Sequence, residues 1–364
     1  MPLPNPEPIG LPAPVWLLQV LLVLTFSLHI IAMTITVGGS ILGLQGELMA
    51  RLRPASTWRR LANAVWGLLP SVTAFTITLG IAPLLFVQLA YGKFFYPASV
   101  LTGWSWFAVV PLLMVGYGAL YVQAMSSPEA KFRVWAGLGS VAAFLGVMAI
   151  YVSTMSLSTE PGVWKELYAA DQGGLHFFGQ LPRWLHVVLG ATAMGGGIAS
   201  LLGHLAADEK YSRLARRVGL AWLAVSLAAQ LPVSLWYQST LLAPGADAVR
   251  AWLVWPAAAV GALALVAAMA AEIRGARSPL AGWATVGLLG AGTALLAVQR
   301  HLVRQAMVDP HLTAADWKLQ PQWDVFAIFA VLLVGTLSLI AYMLVRYARS
   351  LASQQAKHPS RKAG

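Results

Sequence analysis

The sequence contains no cysteine and few charged residues, and both absences narrow the classes of protein to which it can belong. Without cysteine the chain cannot form disulfides, iron–sulfur clusters, thiolate zinc sites or covalent haem attachments of the c type. Any metal must be held by histidine, methionine or oxygen ligands. Charged residues make up 10% of the chain and hydrophobic residues 58%, whereas a soluble domain is about 25% charged. These proportions exclude an ordinary soluble domain.

The apolar residues form long runs separated by short polar clusters, which is the pattern of a polytopic helical membrane protein. The start of the chain, MPLPNPEPIGLPAPVW, lacks the basic region with which a signal peptide begins. We predict an all-α fold with nine membrane-spanning helices. The predicted spans are 16–43, 66–92, 98–125, 133–156, 182–206, 215–243, 250–272, 280–300 and 323–346.

Basic residues determine the predicted orientation of these spans. With the N-terminus outside and the C-terminus inside, most of the 24 lysines and arginines fall in inner loops or the C-terminal tail. We therefore attribute the net charge of +11 to membrane topology and attraction to anionic lipids. No basic recognition face for nucleic acid is visible. The tail, 347–364, is predicted to be a basic cytoplasmic segment at the membrane surface.

Acidic residues are absent from the middle of every predicted span. All 13 aspartates and glutamates lie in predicted loops or within about one turn of a span end. Proton pumps and ion-coupled transporters need buried ionisable groups along their transport path. The pattern therefore disfavours both classes and leaves mainly histidine, methionine, glycine, hydroxyl groups and Gln230 at mid-membrane.

Two histidines lie within apolar sequence, where a histidine is costly and usually has a function. His186 lies near the start of the predicted fifth span, and His29 lies about halfway along the first. Both are candidate metal ligands, although His29 could instead pack and bond to a backbone carbonyl of a neighbouring helix. His204 shares a helix face with His186, and we predict that it is interfacial and solvated. The remaining histidines are also expected to be solvated: His176, His311 and His358.

Small residues follow His186 along the same predicted helix face. Gly190 and Gly197 lie on this face, and each allows a second body to approach the backbone closely. That body is either a neighbouring helix or the face of a haem that a histidine ligates. Both interpretations are open from the residues alone.

Arginines and a histidine cluster at the outer end of the predicted eighth span. Arg300, His301 and Arg304 fall within about one helical turn, near the predicted depth of Arg183 and His186. Arginine side chains bind carboxylates such as haem propionates well. The alternative is a pair of interfacial arginines that extend to the membrane surface.

The layout resembles subunit I of the cytochrome bd quinol oxidases. The stretch SLHIIAMTITVGGSILGL around His29 resembles the haem-ligating segment of the family's first span, and LHVVLGATAMGGG around His186 resembles that of its fifth. FTITLGIAPLLFVQLAYGKFF is similar to the second span, and AVQRHLVRQAM falls where the family has a glycine–arginine–glutamine–proline–tryptophan signature. The resemblance implies nine helices: a four-helix bundle in 1–156, a second in 182–300, and a peripheral ninth helix in 323–346.

The sequence also departs from the family in three places. The family's acidic residues in spans two, three and eight have no counterpart here. Its seventh-span methionine, which pairs with the fifth-span histidine, is absent from AWLVWPAAAVGALAL, and its long quinol-binding loop is shortened to APGADAV. Because oxygen reduction needs protons at a buried site, these departures disfavour oxidase activity.

We therefore predict a subunit of the bacterial inner membrane that carries one to three haems b and transfers electrons. The resemblance implies a quinone pool, with quinone as a further candidate ligand, and an outer-side redox partner such as a c-type cytochrome within a hetero-oligomeric complex. No catalytic residue is assigned, and membership of a quinol-linked oxidoreductase complex is left open. Two alternatives remain: a quinol oxidase subunit whose acidic groups come from a partner chain, and a haem-free scaffold or transporter. The expected haem-site residues are His186, His29, His301 (in place of the methionine), Arg183, Arg300, Arg304, Gly190 and Gly197.

Overall fold

In the part of the chain that is described, every regular secondary-structure element is a helix. The computed structural model describes residues 10–54, 57–170, 172–240, 253–275 and 277–357, and it contains no β-strand in these ranges. The long helices are α1 (Val15–Leu52), α2 (Trp58–Thr102), α3 (Val109–Met125), α4 (Arg133–Leu157), α5 (Leu181–Leu205), α6 (Glu209–Ser239), α7 (Val254–Ile273), α8 (Pro279–Val308) and α9 (Trp323–Lys357).

Nine helices in the described ranges are long and apolar enough to cross a membrane. This confirms the predicted all-helical, multi-pass fold and the number of spans. The orientation and the division into two four-helix bundles stay predictions. The shortened loop APGADAV, His358 and the end of the basic tail lie outside the described residues.

The chain divides into two compact units. The larger unit, Gln19–Leu312, contains α2 to α8 and most of α1. Within it, α5 packs extensively against α6 and also against α8, α8 packs against α7, and α3 packs against α4. This unit contains all of the predicted ligand residues.

The smaller unit combines Pro8–Leu18 with Thr313–Gly364 and includes α9. The backbone of Leu11 holds its two segments together: its N–H donates to the carbonyl of Lys318 at 2.7 Å, and its carbonyl accepts from the N–H of Gln320 at 2.8 Å.

The boundary predicted between the second and third spans is wrong. Residues 93–97 continue α2 instead of forming a loop. The helix ends at Thr102 and is capped by Gly103, whose φ of 59° suits a glycine. Tyr91 has a non-helical φ of −132°, so the helix kinks just before the predicted loop instead of stopping there. Pro97 removes one helical N–H, but the helix continues past it. A short helix, Trp104–Phe107, then leads into α3.

Glycines bring α1, α5 and α6 into backbone contact. A Cβ on Gly38 of α1 would overlap the carbonyl oxygen of Ala191, and a Cβ on Gly195 would lie 2.8 Å from the carbonyl oxygen of Gly38. In α5, Gly196 meets α6 in the same way, because its Cβ would lie 2.8 Å from the carbonyl oxygen of Gly219. Helix packing therefore accounts for the glycines at 195 and 196.

A buried network of charges joins α1, α2 and α4. Glu47 was expected in a loop after the first span, but α1 continues to Leu52 and the Glu47 side chain is fully buried. Its carboxylate accepts hydrogen bonds from Arg59 and from Nε of Arg133, the latter at 3.3 Å. Arg133 is also buried and donates to Oδ1 of Asn63 at 2.9 Å. Burial of the carboxylate is possible because these arginines balance its charge.

We expect Gly38→Ala to destabilise the chain, because the added methyl group would force α1 away from α5. Overpacking of a tight core costs about 1–3 kcal/mol. Gly118→Ala in α3 is the matched control, since a Cβ there has no neighbour within 4 Å, and alanine favours a helix interior by about 0.5–1 kcal/mol. Thermal unfolding in detergent measures both. Equal melting temperatures for the two variants would contradict this packing.

We expect Glu47→Gln to lower the stability by about 3–5 kcal/mol, because it leaves Arg133 buried without its charge partner. Glu209→Gln is the control: Glu209 pairs with Arg213 at 3.3 Å, and both side chains are more than half exposed. Exposed pairs contribute at most about 1 kcal/mol. Both variants are compared by unfolding followed with circular dichroism. A loss for Glu47→Gln that matches the control would show that the buried network is dispensable.

Candidate ligand site

A cavity of about 550 Å³ lies within the larger unit, and residues from α1 to α8 line it. The volume falls in the range of small-molecule and cofactor sites, about 300–1,000 Å³. Leucine, isoleucine, valine and phenylalanine make up much of the wall, and no aspartate or glutamate lies among the described residues that line it. Five of the predicted site residues with polar side chains meet here: His29, His186, Arg183, Arg300 and Arg304.

The histidine of α1 is held by α2. Nδ1 of His29 lies 3.0 Å from the carbonyl oxygen of Thr76. Because a carbonyl only accepts, Nδ1 carries the proton and Nε2 of the neutral ring is unprotonated. Gly80 makes room for the ring, since a Cβ there would lie 2.8 Å from Cε1 of His29. This is the backbone bond expected of a packing histidine, and it is also the bond that orients metal-ligating histidines.

The histidine of α5 is held by α6. Nδ1 of His186 lies 3.0 Å from Oγ of Ser234 and 2.9 Å from Nε2 of Gln230. The same Gln230 nitrogen also lies 3.3 Å from Nε2 of His186 and 3.2 Å from the His186 carbonyl oxygen. One proton arrangement has Gln230 donating to that carbonyl and Nδ1 donating to Ser234, which leaves Nε2 unprotonated. The other has Gln230 donating to Nδ1 and places the ring proton on Nε2.

The helices α1 and α5 run in the same direction. Glu47 near the end of α1 contacts Arg133 at the start of α4. At the opposite end of α4, Arg183 from the start of α5 donates to Oγ of Ser156 at 2.5 Å. Because α4 is antiparallel to both helices, α1 and α5 are parallel to each other.

The two cavity histidines therefore lie at a similar level. His29 precedes Gly38 by nine residues, and His186 precedes Gly195 by nine residues. These two glycines form the close contact between the parallel helices. Nine helical residues rise about 13.5 Å. Each histidine therefore lies about this distance before the glycine contact, and both lie on the same side of it.

The end of α4 anchors two of the arginines. Arg183 donates to Oγ of Ser156 and to the carbonyl of Val152, and Arg300 donates to the carbonyl of Met155 at 3.1 Å. Met155 is among the last four residues of α4, whose carbonyls lack regular intrahelical partners and carry a partial negative charge. The last turns of α4 thus position positively charged groups from α5 and α8 at one end of the cavity.

The positive charge at this end of the cavity has no direct counter-ion in the described chain. No described carboxylate lies within 4 Å of Arg183, Arg300 or Arg304. The Arg304 guanidinium instead lies 5.7 Å from the ring centroid of Tyr91. Nε of Arg300 is buried and has no hydrogen-bond partner among the described residues. Buried charges are normally paired, so this end of the cavity is suited to a ligand with acidic groups.

Glu160 is not among the residues that line the cavity, but its charge interacts with two of these arginines, Arg300 and Arg183. It lies in the segment between α4 and α5 and is half-buried. Burial raises the pKa of Glu160, and the positive charges of Arg300 and Arg183 oppose that rise.

His301 lies beside the cavity instead of on its wall. Its ring is 6.5 Å from that of Tyr91, and its buried Nδ1 has no hydrogen-bond partner in the described chain. With Arg300 and Arg304 it lines a separate void of about 10 Å³, which is close to the space that one water molecule needs.

The two glycines that were predicted to lie at the haem site, Gly190 and Gly197, have different surroundings. A Cβ on Gly197 would lie 2.8 Å from Cδ1 of Leu289, so this glycine allows α5 to pack closely on α8. Gly190 lines the cavity, and a Cβ there would have no neighbour within 4 Å in the part of the chain that the structure describes. Only Gly190 therefore opens space at the candidate site.

The prediction that His204 is solvated is wrong, because the start of α8 covers it. Its side chain is 4% exposed. The backbone N–H of Ser278 donates to its Nδ1 at 3.3 Å, and a Cβ on Gly282 would lie 3.4 Å from its Cβ. His176 and His311 are exposed as predicted.

The polar face of α6 and the location of Glu160 were not predicted from the sequence. Gln230, Ser234 and Tyr237 all line the cavity, and their spacing of four and three residues places them on one helix face. Within an apolar segment, that spacing could have predicted a polar helix face from the sequence. Glu160 had no comparable signal, because its arginine neighbours come from distant helices.

We found no protein-family model and no curated protein sequence that matches the chain. In the described ranges, no three histidine, aspartate or glutamate side chains come together as a site for a bare metal ion. A functional assignment therefore rests on the cavity and the side chains around it.

Proposed function

We propose that the chain is a haem-b electron-transfer subunit of a bacterial inner membrane, acting between the quinone pool and an outer-side redox partner such as a c-type cytochrome. The observation that carries the proposal is that His29 and His186 line one apolar cavity together with three arginines. This combination suits a haem, because haem iron binds imidazole and arginine binds carboxylates such as the propionates.

Three further features support the fit of a haem. The cavity volume is that of a cofactor site. Among the described residues, Gly190 leaves open space on the wall where a side chain would intrude, and Nε of Arg300 is a buried donor without an acceptor. The residues that would hold the group are His29 and His186 as iron ligands, with Arg183, Arg300 and Arg304 as partners of the propionates.

The chain contributes orientation and a water-poor surrounding. Thr76 and Gly80 fix the ring of His29, while Ser234 bonds to Nδ1 of His186; such supporting contacts orient ligands and tune a metal centre. A bound haem would supply a one-electron iron couple. The apolar wall keeps water away, and the arginines offset the negative charge of the acidic groups.

The charges of the cavity favour electron transfer over the two alternatives, which are a quinol oxidase subunit and a haem-free scaffold or transporter. Oxygen reduction needs protons at the buried site, and the described cavity wall offers no aspartate or glutamate to deliver them. A haem-free scaffold would leave three arginines beside an apolar cavity without a counter-ion, which is costly. In the orientation that the basic loops favour, the arginine end faces outward, where a soluble redox partner has access.

We expect His186→Ala and His29→Ala each to lower the haem content of the purified chain, because each removes an iron ligand. A pyridine haemochrome assay gives the ratio of haem to protein. His176→Ala is the control, since His176 is exposed and bonds to the carbonyl of Gln172. A wild-type chain without haem would refute the proposed function, and an unchanged ratio in His186→Ala would refute that ligand assignment. Oxygen uptake driven by a quinol would favour the oxidase alternative.

We expect Arg304→Gln to weaken haem retention by about 10- to 100-fold, since a hydrogen bond to a charged group contributes about 1.5–3 kcal/mol. Haem loss to an excess of a haem-binding apoprotein measures the effect. Arg304→Lys, which keeps the charge, should lie between wild type and Arg304→Gln. Arg213→Gln is the surface control. Equal haem loss from Arg304→Gln and Arg213→Gln would contradict the assignment of Arg304.

A further inference from the structure

Two polar side chains of α6 contact the imidazole of His186, and they contact it in different ways. Oγ of Ser234 is hydrogen-bonded to Nδ1 at 3.0 Å. Nε2 of Gln230 lies close to both ring nitrogens, 2.9 Å from Nδ1 and 3.3 Å from Nε2. Gln230 and Ser234 are four residues apart, so they share one face of α6, and both line the cavity. The difference between these contacts decides which ring nitrogen carries the proton.

The Gln230 nitrogen lies over the face of the imidazole ring. An atom in the ring plane that was this close to both nitrogens would overlap Cε1, which lies between them, or the carbon atoms of the opposite edge. A hydrogen bond to Nδ1 needs a partner near the ring plane, because hydrogen bonds weaken steeply when they are bent. Gln230 therefore does not compete with Ser234 for Nδ1.

The backbone carbonyl of His186 fixes the orientation of the Gln230 amide. The carbonyl oxygen accepts from Nε2 of Gln230 at 3.2 Å. If the nitrogen and the oxygen of the amide were exchanged, two acceptors would face each other at this distance. The atom above the ring is thus an amide nitrogen, which cannot accept a proton. Among the described residues, Oγ of Ser234 is the acceptor that lies within hydrogen-bond distance of Nδ1.

We propose that Ser234 is the positioning residue of His186: its hydroxyl oxygen accepts the Nδ1 proton, so that Nε2 keeps the lone pair that binds iron. This inference rests on the proposed function. A neutral imidazole has one protonated nitrogen and one that can bind a metal, and the hydrogen bond of the first selects the second. His29 has the same arrangement, with the carbonyl of Thr76 as acceptor. Both ligands are then held as the same tautomer before haem binds.

The Ser234 hydrogen bond also affects the midpoint potential. A hydrogen bond from Nδ1 makes the imidazole a stronger electron donor. Ferric iron carries one more positive charge than ferrous iron, so it gains more from an electron-rich ligand. Ser234 therefore lowers the midpoint potential, since hydrogen bonding around the axial ligands is one of the means by which a protein sets the potential of a haem.

We expect Ser234→Ala to weaken haem binding by about 10- to 100-fold, which is the usual effect of removing the partner of a metal ligand. The midpoint potential should rise, by about 59 mV for each tenfold by which the ferric affinity falls further than the ferrous affinity. A redox titration and haem transfer to an apoprotein measure the two effects. Ser234→Thr keeps a hydroxyl group and should restore both quantities towards wild type.

Ser226→Ala is the matched control. Ser226 is buried about two turns earlier on α6 and shares a hydrogen bond of 2.8 Å with Thr192 of α5, but neither residue lines the cavity. The control removes the same atom and the same kind of bond between the two helices, so it should keep the wild-type potential. Equal shifts of the potential in Ser226→Ala and Ser234→Ala would show that Ser234 only packs the helices, and would overturn the proposal.

The tautomer is measured independently by ¹⁵N NMR of the histidine-labelled full-length chain from cells that cannot make haem. In mildly alkaline buffer, chemical shifts distinguish protonated from unprotonated ring nitrogens, and His186→Ala identifies the His186 signals. We expect a protonated Nδ1 in wild type, Ser226→Ala and Gln230→Leu. Ser234→Ala should gain the form with the proton on Nε2. A wild-type proton on Nε2, or a proton that moves in Gln230→Leu and not in Ser234→Ala, would refute the role of Ser234.

The failure of this inference differs from the failure of the proposed function. A wild-type chain that never carries haem would refute the proposed function, and the tautomer of His186 would still test Ser234. A haem-loaded Ser234→Ala variant with the wild-type potential and the wild-type tautomer would refute only the role of Ser234. The melting temperature of every variant is measured first, so that a loss of fold is not mistaken for a loss of the hydrogen bond.

Discussion

Polar groups within an apolar helical bundle must find their partners inside the chain, because lipid offers none. This constraint shapes both ends of the larger unit. At one end, Glu47 balances buried Arg133 and joins three helices. At the other, Arg183 and Arg300 are anchored by the last turns of α4, but the described carboxylates do not pair with them directly. The first arrangement is complete without a ligand, and the second is completed by one with acidic groups.

The glycine contact between α1 and α5 determines which polar side chains reach the candidate site. Backbone contact at Gly38 and Gly195 places two parallel helices close together, and each carries a histidine nine residues before the contact. The neighbouring helices then orient the rings, α2 through a carbonyl and α6 through a hydroxyl. The packing that stabilises the bundle thus also decides where two imidazoles meet the cavity.

The charges on the cavity wall are all positive. Arginines lie on this wall and no described carboxylate does, so the wall favours an acidic ligand over proton delivery to a reacting centre. Glu160 is not part of the wall. Burial raises its pKa, and the positive charges of Arg300 and Arg183 oppose that rise.

The sequence by itself determined the membrane class, the number of spans and the histidines worth attention, because these follow from long apolar runs and from the cost of a polar side chain in lipid. It could not separate Gly190, which opens space, from Gly197, which packs on Leu289, because both lie on one helix face. It also misplaced His204, which α8 covers. Only the tertiary structure decided these points and the location of Glu160, because each depends on residues that are distant in sequence and meet only when the helices pack.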